Sequence, residues 1–254
     1  QSLVRYLYNQ KIPYQVLGNG TNLLVADQGL SNVVIKLAQV INNIKFNKNR
    51  ITVGAGVKLP LLATQAAARG LSGLEFAIGL PATVGGAIMM NAGLGNEQAI
   101  GSLVSSLTTL SSTGEIKYYQ QSELSFEYRT NNLEDKNEII LEATLQLTKS
   151  KEEIIQETMK ELLKSRKESQ PLKLPNAGCV FKNPPNDSAG RLIDQAGCKG
   201  LRIGDAQISH KHANFIVNLG CAKAEEVLEL IVKVQDIVYN KFNIKLEREI
   251  IFLS

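Results

Sequence analysis

Tryptophan is absent from the 254-residue chain, aromatic residues make up only 6% of it, and histidines number two and cysteines three. Cys179, Cys198 and Cys221 form no C-x-x-C pair, so they indicate neither a disulfide framework nor a zinc site. They fit a reducing compartment, which favours a cytoplasmic protein. His210 and His212 have no carboxylate or cysteine at ligand spacing, so hydrogen bonding is favoured over metal binding.

A long hydrophobic run is also missing. The nearest stretch, Leu74 to Met90, is interrupted by Glu75, Pro81 and three glycines, which excludes a transmembrane helix of about 18 or more apolar residues. The net charge is only +4, from 28 Lys and Arg against 24 Asp and Glu. This charge argues against a nucleic-acid partner and suits an anionic ligand. The chain begins with Gln1 and shows no signal region, so we expect no export.

The order of the patterned segments predicts an α+β protein in two domains. Alternating and β-branched runs predict strands at 14–17, 23–25, 33–37, 51–53, 103–111, 115–119, 139–147 and 246–253. Helical periodicity predicts helices at 59–69, 150–168 and 224–241. The second of these helices carries an apolar stripe formed by Ile154, Ile155, Met159, Leu162 and Leu163, and prolines follow it. We interpret it as a linker between the domains.

The first glycine-rich segment runs from Gly18 to Asn22 and lies between two predicted strands. Glycines let a backbone approach a ligand closely and present consecutive N–H groups, which suits a pyrophosphate. On this segment alone, a tight hairpin is the favoured interpretation, because Asn-Gly is a common hairpin turn. A Rossmann nucleotide site is disfavoured, since a strand-like Leu-Leu-Val follows Gly20 where that motif requires a helix.

The second glycine-rich segment runs from Gly79 to Ala87 and is followed by Met90-Asn91-Ala92-Gly93. Such glycine density costs backbone entropy on folding. A loop wrapped around a large flat or phosphorylated ligand would offset this cost. A buried turn of small residues is the alternative.

Taken together, these segments and several others in the same order resemble the UDP-N-acetylenolpyruvoylglucosamine reductase (MurB) family, in its shorter type II form. The matching segments are 18–24, 73–75, 79–87, 90–93, Tyr128-Arg129, 176–184, 189–197, 212–215 and 247–249. They cover almost the whole chain. The family usually begins with one more strand and a Thr-x-x-Gly-Gly turn, which this chain lacks.

The resemblance implies the fold and the domain roles. Residues 1–148 would form a PCMH-type FAD-binding domain of the vanillyl-alcohol oxidase class, with two α+β subdomains at about 1–40 and 41–148. Residues 149–170 would form the linker helix, and residues 171–254 a smaller α+β substrate-binding domain.

The resemblance also implies the reaction. NADPH would reduce FAD, which would pass hydride to the enolpyruvyl group of a UDP-N-acetylglucosamine derivative, giving UDP-N-acetylmuramate for peptidoglycan precursor synthesis. FAD would be bound non-covalently, because residues 1–100 contain no His or Cys for a tether. The expected partners are the UDP-sugar and NADPH, with no nucleic acid and no membrane insertion, and the chain would be a monomer or a weak homo-oligomer. The alternatives are a flavin oxidase of the same fold and a nucleotide-binding module without chemistry.

The resemblance assigns three catalytic residues. Arg129 would hold the enolpyruvyl carboxylate. Cys179 stands where most relatives have the serine that donates a proton, and a thiol with a pKa near ~8.5 is mainly protonated at neutral pH. Glu249 would order the carboxylate and the enolic intermediate, with Glu247 as the nearest wrong assignment. Cys198 and Cys221 are expected to be buried and inert.

The remaining assigned residues bind ligands. The FAD contacts would be Gly18, Asn19, Gly20, Thr21, Asn22, Leu23, Gly79, Pro81, Thr83, Val84, Gly85, Gly86, Asn91 and Gly93. The substrate contacts would be Tyr128, Lys182, Asn183, Gln195 and His212.

Overall fold

The computed structural model describes residues 1–38, 40–94, 98–133 and 136–254. Its α-helices are α1 Ser2–Asn9, α2 Leu59–Ala67, α3 Val84–Met89, α4 Glu152–Ser169, α5 Ala189–Gln195 and α6 Ala224–Phe242. Its strands are β1 Tyr14–Leu17, β2 Leu23–Val25, β3 Val33–Lys36, β4 Ile44–Asn47, β5 Arg50–Gly54, β6 Leu71–Ser72, β7 Val104–Leu110, β8 Ile116–Gln120, β9 Phe126–Glu127, β10 Thr130–Asn131, β11 Ile139–Gln146, β12 Thr148–Lys149, β13 Asn176–Cys179, β14 Arg202–Ile203, β15 Ala206–Ile208, β16 Phe215–Asn218 and β17 Ile251–Leu253. No helix in these ranges is long and apolar enough to cross a membrane.

The first compact unit comprises residues 1–20 and 32–164. Its centre is a five-stranded antiparallel sheet in the order β4-β5-β11-β7-β8. Ile51 and Leu145, on paired strands, pack in one hydrophobic core with Leu62 of α2 and Ile88 of α3, and all four are fully buried. A separate parallel pair joins β1 to β3.

The second compact unit comprises residues 21–31 and 165–254. Its four-stranded antiparallel sheet has the order β13-β16-β15-β14. The apolar face of α6, with Leu230 and Val234 fully buried, packs in one core with α5 and this sheet. The last strand, β17, pairs in parallel with β2.

The hairpin predicted around Gly18–Asn22 is wrong. The strands on either side of this segment do not pair with each other, because β1 pairs with β3 while β2 pairs with β17. The pairing with β17 also groups residues 21–31 with the second unit, whereas the sequence interpretation placed them in a continuous domain at 1–148. The roles assigned to the domains stay predictions.

Three further expectations differ from the structure. The helix α1 was not predicted. In α4 only Ile155 and Met159 of the predicted stripe are buried, while Ile154 and Leu163 are exposed. The final strand is regular only over 251–253, preceded by an isolated bridge between Phe181 and Arg248. The α+β class itself is confirmed.

A fully buried carboxylate lies at the edge of the central sheet. Glu138 accepts hydrogen bonds from Thr109 Oγ1 at 2.6 Å, Lys117 Nζ at 2.8 Å and Tyr119 OH at 3.1 Å. Burial alone would raise the pKa of Glu138, but the hydrogen bonds from these three residues outweigh it and lower that pKa. The charged form is therefore the one that the folded protein stabilises.

We expect Glu138→Gln to lower the free energy of unfolding at neutral pH by about 1–3 kcal/mol, because the charge-assisted bonds are lost. A lowered carboxyl pKa stabilises the fold above the ordinary glutamate value of about 4.3, and that contribution disappears as the pH falls through the native pKa. Urea unfolding from acidic to neutral pH should therefore show a shallower acid slope for the variant. Equal acid slopes of the unfolding free energy in Glu138→Gln and the wild type would contradict this account. The matched control is Glu115→Gln, because Glu115 is exposed.

Candidate active site

The two glycine-rich segments predicted to hold one cofactor meet in the first unit. A Cβ added at Gly18 would lie 2.4 Å from Thr83 Oγ1, and Asn19 Nδ2 donates to the carbonyl of Pro81 at 2.7 Å. Only a glycine permits this approach at position 18. Segments far apart in sequence therefore form one cradle of backbone and small side chains, which fits a phosphorylated ligand.

The helix α3 packs tightly behind this cradle. Thr83 is buried and caps α3, with its Oγ1 accepting from the N–H of Gly86 at 3.3 Å. Gly85 lies against Ala55, where an added Cβ would be 2.8 Å from the alanine Cβ, and its N–H donates to the Ala55 carbonyl at 2.9 Å. Gly85 thus serves close packing between α3 and Ala55.

We expect Gly18→Ala to destabilise the protein by about 1–3 kcal/mol, because the new methyl group would overlap the Thr83 hydroxyl. In a Thr83→Ala background the overlap is removed, so the same substitution should cost much less. Thermal unfolding of the four proteins of this double-mutant cycle measures the coupling. Purely additive effects would show that Gly18 and Thr83 are not in contact. Gly86→Ala is the control, since its Cβ would lie at an ordinary 3.4 Å from Thr83 Oγ1.

Arg129 occupies the two-residue turn between β9 and β10 of the first unit. Its backbone has φ 58°, a left-handed conformation that is uncommon for arginine and typical of functional sites. The guanidinium donates from Nη1 to the carbonyl of Asn91 at 3.4 Å and from Nη2 to that of Gly93 at 3.1 Å. It lies 5.1 Å from the ring centroid of Tyr128. These contacts fix the position of the cationic group.

Asn91 supports this turn from inside the unit. Its buried side chain donates to the carbonyl of Glu127 at 2.7 Å and accepts from the N–H of Gly101 at 3.0 Å. The first of these bonds holds β9, the strand that leads into the Arg129 turn. The structure thus gives Asn91 a supporting role, and its predicted cofactor contact stays a prediction.

In the second unit, Cys179 and Glu249 lie on neighbouring segments. The N–H of Glu249 donates to the carbonyl of Val180 at 2.7 Å, and the N–H of Lys182 donates to the carbonyl of Glu247 at 2.8 Å. These bonds run the 179–182 and 247–250 segments antiparallel, with Phe181 opposite Arg248 and Val180 opposite Glu249. The side chains of Cys179 and Glu249 are half-buried. The thiol and the carboxylate therefore belong to neighbouring segments that main-chain bonds hold together.

The surroundings of the two glutamates favour Glu249 over Glu247. The side chain of Glu247 is 74% exposed and forms an ion pair with Lys182 at 3.5 Å. Such a surface pair contributes little to stability. It accounts for the presence of a carboxylate at position 247 without any role in catalysis. Glu249 is the more protected acid.

Arg166, in the last turn of α4, was missed by sequence reasoning. Burial lowers the pKa of its guanidinium, while electrostatic attraction to Cys179 raises it. A positive charge near a cysteine favours the thiolate. The signal in the sequence was a basic residue shortly before the motif that contains Cys179, which is indistinguishable from a solvated helix end.

The other cysteines divide between the core and the surface. Cys198 is buried, and burial raises the pKa of its thiol. Cys221 is exposed, so the expectation that it is buried is wrong. It follows Gly220 in the turn after β16, where its N–H donates to Asp205 Oδ2 at 2.9 Å.

Buried Asn214 braces the segment after Cys179. Its Oδ1 accepts from the N–H of Phe181 at 2.9 Å and its Nδ2 donates to the carbonyl of the same residue at 2.8 Å. Sequence reasoning placed Asn214 in a family motif without a role. In the structure, both ends of its side-chain amide bind the backbone of Phe181, two residues after Cys179.

The predicted substrate contacts of the second unit have structural partners. Asn183 Oδ1 accepts from the N–H of Ala189 at 3.0 Å, at the start of α5. Gln195 is exposed and its Oε1 accepts from Arg191 Nη1 at 2.5 Å. Burial, more than the charge of Lys199, lowers the pKa of His212. Their substrate roles stay predictions.

His212 also has a defined tautomer. Its Nδ1 accepts from the N–H of Asn214 at 3.2 Å. A neutral imidazole that accepts at Nδ1 carries its proton on Nε2, so the ring is a hydrogen-bond donor at that atom. Among the described residues, no group of three or more His, Cys, Asp and Glu could hold a metal ion.

The chain is similar to known proteins along its whole length. Residues 1–118 match the family model "FAD binding domain", and residues 170–253 match "UDP-N-acetylenolpyruvoylglucosamine reductase, C-terminal domain". UDP-N-acetylenolpyruvoylglucosamine reductase 2 of Symbiobacterium thermophilum is 43% identical over 98% of this chain and 80% of its own length. The reductase of Chlamydia felis is 44% identical over 98% of this chain and 83% of its own length.

A solved structure shows the same fold. The crystal structure of the Thermus caldophilus UDP-N-acetylenolpyruvylglucosamine reductase superposes with a TM-score of 0.85 at 43% identity, covering 99% of this chain and 90% of the other.

Proposed function

Because this chain belongs to the UDP-N-acetylenolpyruvoylglucosamine reductase family, we propose that it reduces the enolpyruvyl ether of UDP-N-acetylglucosamine to UDP-N-acetylmuramate at the expense of NADPH. The observation that supports the proposal is the main-chain pairing of the segment that contains Cys179 with the segment that contains Glu249. A proton donor and an acid on neighbouring segments suit the second half of this reaction.

The glycine cradle fits the cofactor that the family model names. The close approach of Gly18 to Thr83 brings the two glycine-rich segments together, and backbone N–H groups of such loops suit a pyrophosphate. We assign FAD binding to residues 18–23, Gly79, Pro81, residues 83–86, Asn91 and Gly93. When bound, FAD supplies the hydride chemistry that no amino-acid side chain can perform.

Arg129 binds and orients the substrate carboxylate. A planar guanidinium matches two carboxylate oxygens and stays charged at any working pH. The carbonyls of Asn91 and Gly93 hold this group in place before substrate binds, so little ordering is needed at that moment. Fixing the carboxylate polarises the conjugated double bond.

Cys179 donates the proton from Sγ to the carbon next to the carboxylate. A thiol gives up its proton more readily than the hydroxyl that most family members carry there. Glu249 orders the enolic intermediate and holds or relays a proton. Tyr128, Lys182, Asn183, Gln195 and His212 complete the substrate site, with His212 as a donor through Nε2.

We place the reaction in the cytoplasm. No disulfide joins the three cysteines, as is usual in a reducing compartment, and NADPH and UDP-sugars are cytoplasmic metabolites. The product serves peptidoglycan precursor synthesis. We keep a monomer or weak homo-oligomer as our expectation.

The test is an absorbance spectrum of the purified chain followed by an NADPH oxidation assay. The proposal predicts flavin absorbance and NADPH oxidation that depends on the enolpyruvyl substrate. Flavin that is reduced by an alcohol or hydroxy acid would instead indicate an oxidase of the same fold. No flavin and no NADPH oxidation would indicate a binding module.

A further inference from the structure

Asn22, in the loop assigned to FAD binding, forms a hydrogen bond to Glu249, the residue assigned as the catalytic acid. Its Nδ2 donates to the backbone carbonyl of Glu249 at 3.0 Å. Its own carbonyl accepts from the N–H of Ile251 at 3.0 Å. One residue thus holds both ends of the short stretch that links Glu249 to the final strand.

The same stretch is anchored on its other side. The N–H of Glu249 donates to the carbonyl of Val180 at 2.7 Å, so both peptide groups that flank the Glu249 Cα are hydrogen-bonded. The parallel pairing of β2 with β17, which aligns Leu23 with Ile251, starts directly after Asn22. With its backbone fixed in this way, the side chain of Glu249 extends from a defined position.

The Asn22 side chain is chemically suited to this bond. An amide donates to a carbonyl, whereas a carboxylate of the same size would face that oxygen with like charge. Asn22 is half-buried, so water replaces the lost donor only incompletely.

We propose that Asn22 is a positioning residue that sets the Glu249 carboxylate for substrate reduction, in addition to lying in the cofactor loop. The proposal rests on the function proposed above. The bonds of Asn22 link the FAD loop to the segment that carries Glu249. Binding of FAD to the loop therefore restricts the motion of this segment.

The experiment compares Asn22→Ala with the wild type in anaerobic stopped-flow measurements, with FAD supplied at saturating concentration. We expect the limiting rate of flavin reoxidation by the enolpyruvyl substrate to fall roughly tenfold, the effect of one lost hydrogen bond. Flavin reduction by NADPH should fall much less than reoxidation, because FAD is saturating and this half-reaction does not depend on the acid.

The matched control is Gln235→Ala. Gln235 Nε2 donates to the carbonyl of Leu246 at 2.8 Å, which is the same kind of bond to the same terminal segment, away from Glu249. We expect this variant to keep the wild-type reoxidation rate. An equal loss in both variants would overturn the proposal, since general loosening of the segment would then suffice.

Hydrogen exchange of the peptide 247–253 gives a second readout that needs no activity. In the wild type, added FAD should slow exchange of this peptide, and in Asn22→Ala this protection should be lost. Equal protection in both proteins would overturn the proposal. If the wild type lacks reductase activity, the proposed function fails, while the exchange comparison still decides the coupling between loop and strand.

Discussion

Replacing Cys179 with alanine is expected to lower turnover by about 10²–10⁴-fold, the usual contribution of a positioned proton donor. Alanine removes the only proton-donating group at this position and leaves the paired backbone beside Glu249 intact. Anaerobic stopped-flow should show normal flavin reduction by NADPH and very slow reoxidation by substrate. Normal turnover of Cys179→Ala would show that this thiol is not the donor.

Cys179→Ser is the matched control, because a hydroxyl is the proton donor in most members of the family. We expect it to retain turnover. Wild-type protein should also lose activity on treatment with iodoacetamide, and the serine variant should resist. Since Cys221 is exposed, this comparison is made in a Cys221→Ser background, where a remaining loss in Cys179→Ser would point to a different target.

Arg129→Ala is expected to slow flavin reoxidation by substrate about 10²–10³-fold, because a charge-assisted, two-pronged contact with the carboxylate is lost. Flavin reduction by NADPH should be nearly unchanged, since that half-reaction involves no carboxylate of the enolpyruvyl group. Measuring the two half-reactions separately checks the prediction.

Arg129→Lys is the control for charge. It keeps the cation and loses the planar fork, so its reoxidation rate should lie between those of Arg129→Ala and the wild type. Equal damage to both half-reactions in Arg129→Ala would count against the carboxylate role. It would instead indicate that the bonds to Asn91 and Gly93 shape the cofactor site.

Periodicity predicted the elements whose own residues form a core. The helix predicted at 224–241 is α6 Ala224–Phe242, with Leu230, Ile231, Val234 and Val238 buried as expected. In α4 the stripe was overestimated, because Ile154 and Leu163 are exposed. Apolar spacing identifies a face, whereas burial depends on what packs against it.

Pairing between distant segments could not be read from the sequence. The Asn-Gly dipeptide favoured a hairpin, yet β2 pairs with β17, more than two hundred residues away in the chain. Local turn preferences are worth little against a whole strand pairing. The contact between Gly18 and Thr83 could not be predicted either, because these two residues are also far apart in the sequence.

For the site, the motif matches named Cys179 and Glu249, and the structure places their segments side by side. The supporting residues carried no local signal. Asn214 and Asn22 act through hydrogen bonds to backbone that is far away in the sequence, and Arg166 acts through its charge. Residue type alone does not reveal such roles. It stays a prediction that Arg129 acts at the same site as Cys179 and Glu249.

The most direct test of the central claim is a single turnover in D₂O. Holoenzyme reduced anaerobically with NADPH receives one equivalent of the enolpyruvyl UDP-sugar, and the product is analysed by NMR. The account predicts full return of the oxidised flavin spectrum and UDP-N-acetylmuramate carrying one solvent deuterium on the carbon beside the carboxylate. A flavin that stays reduced, or a product without deuterium at that carbon, would contradict it.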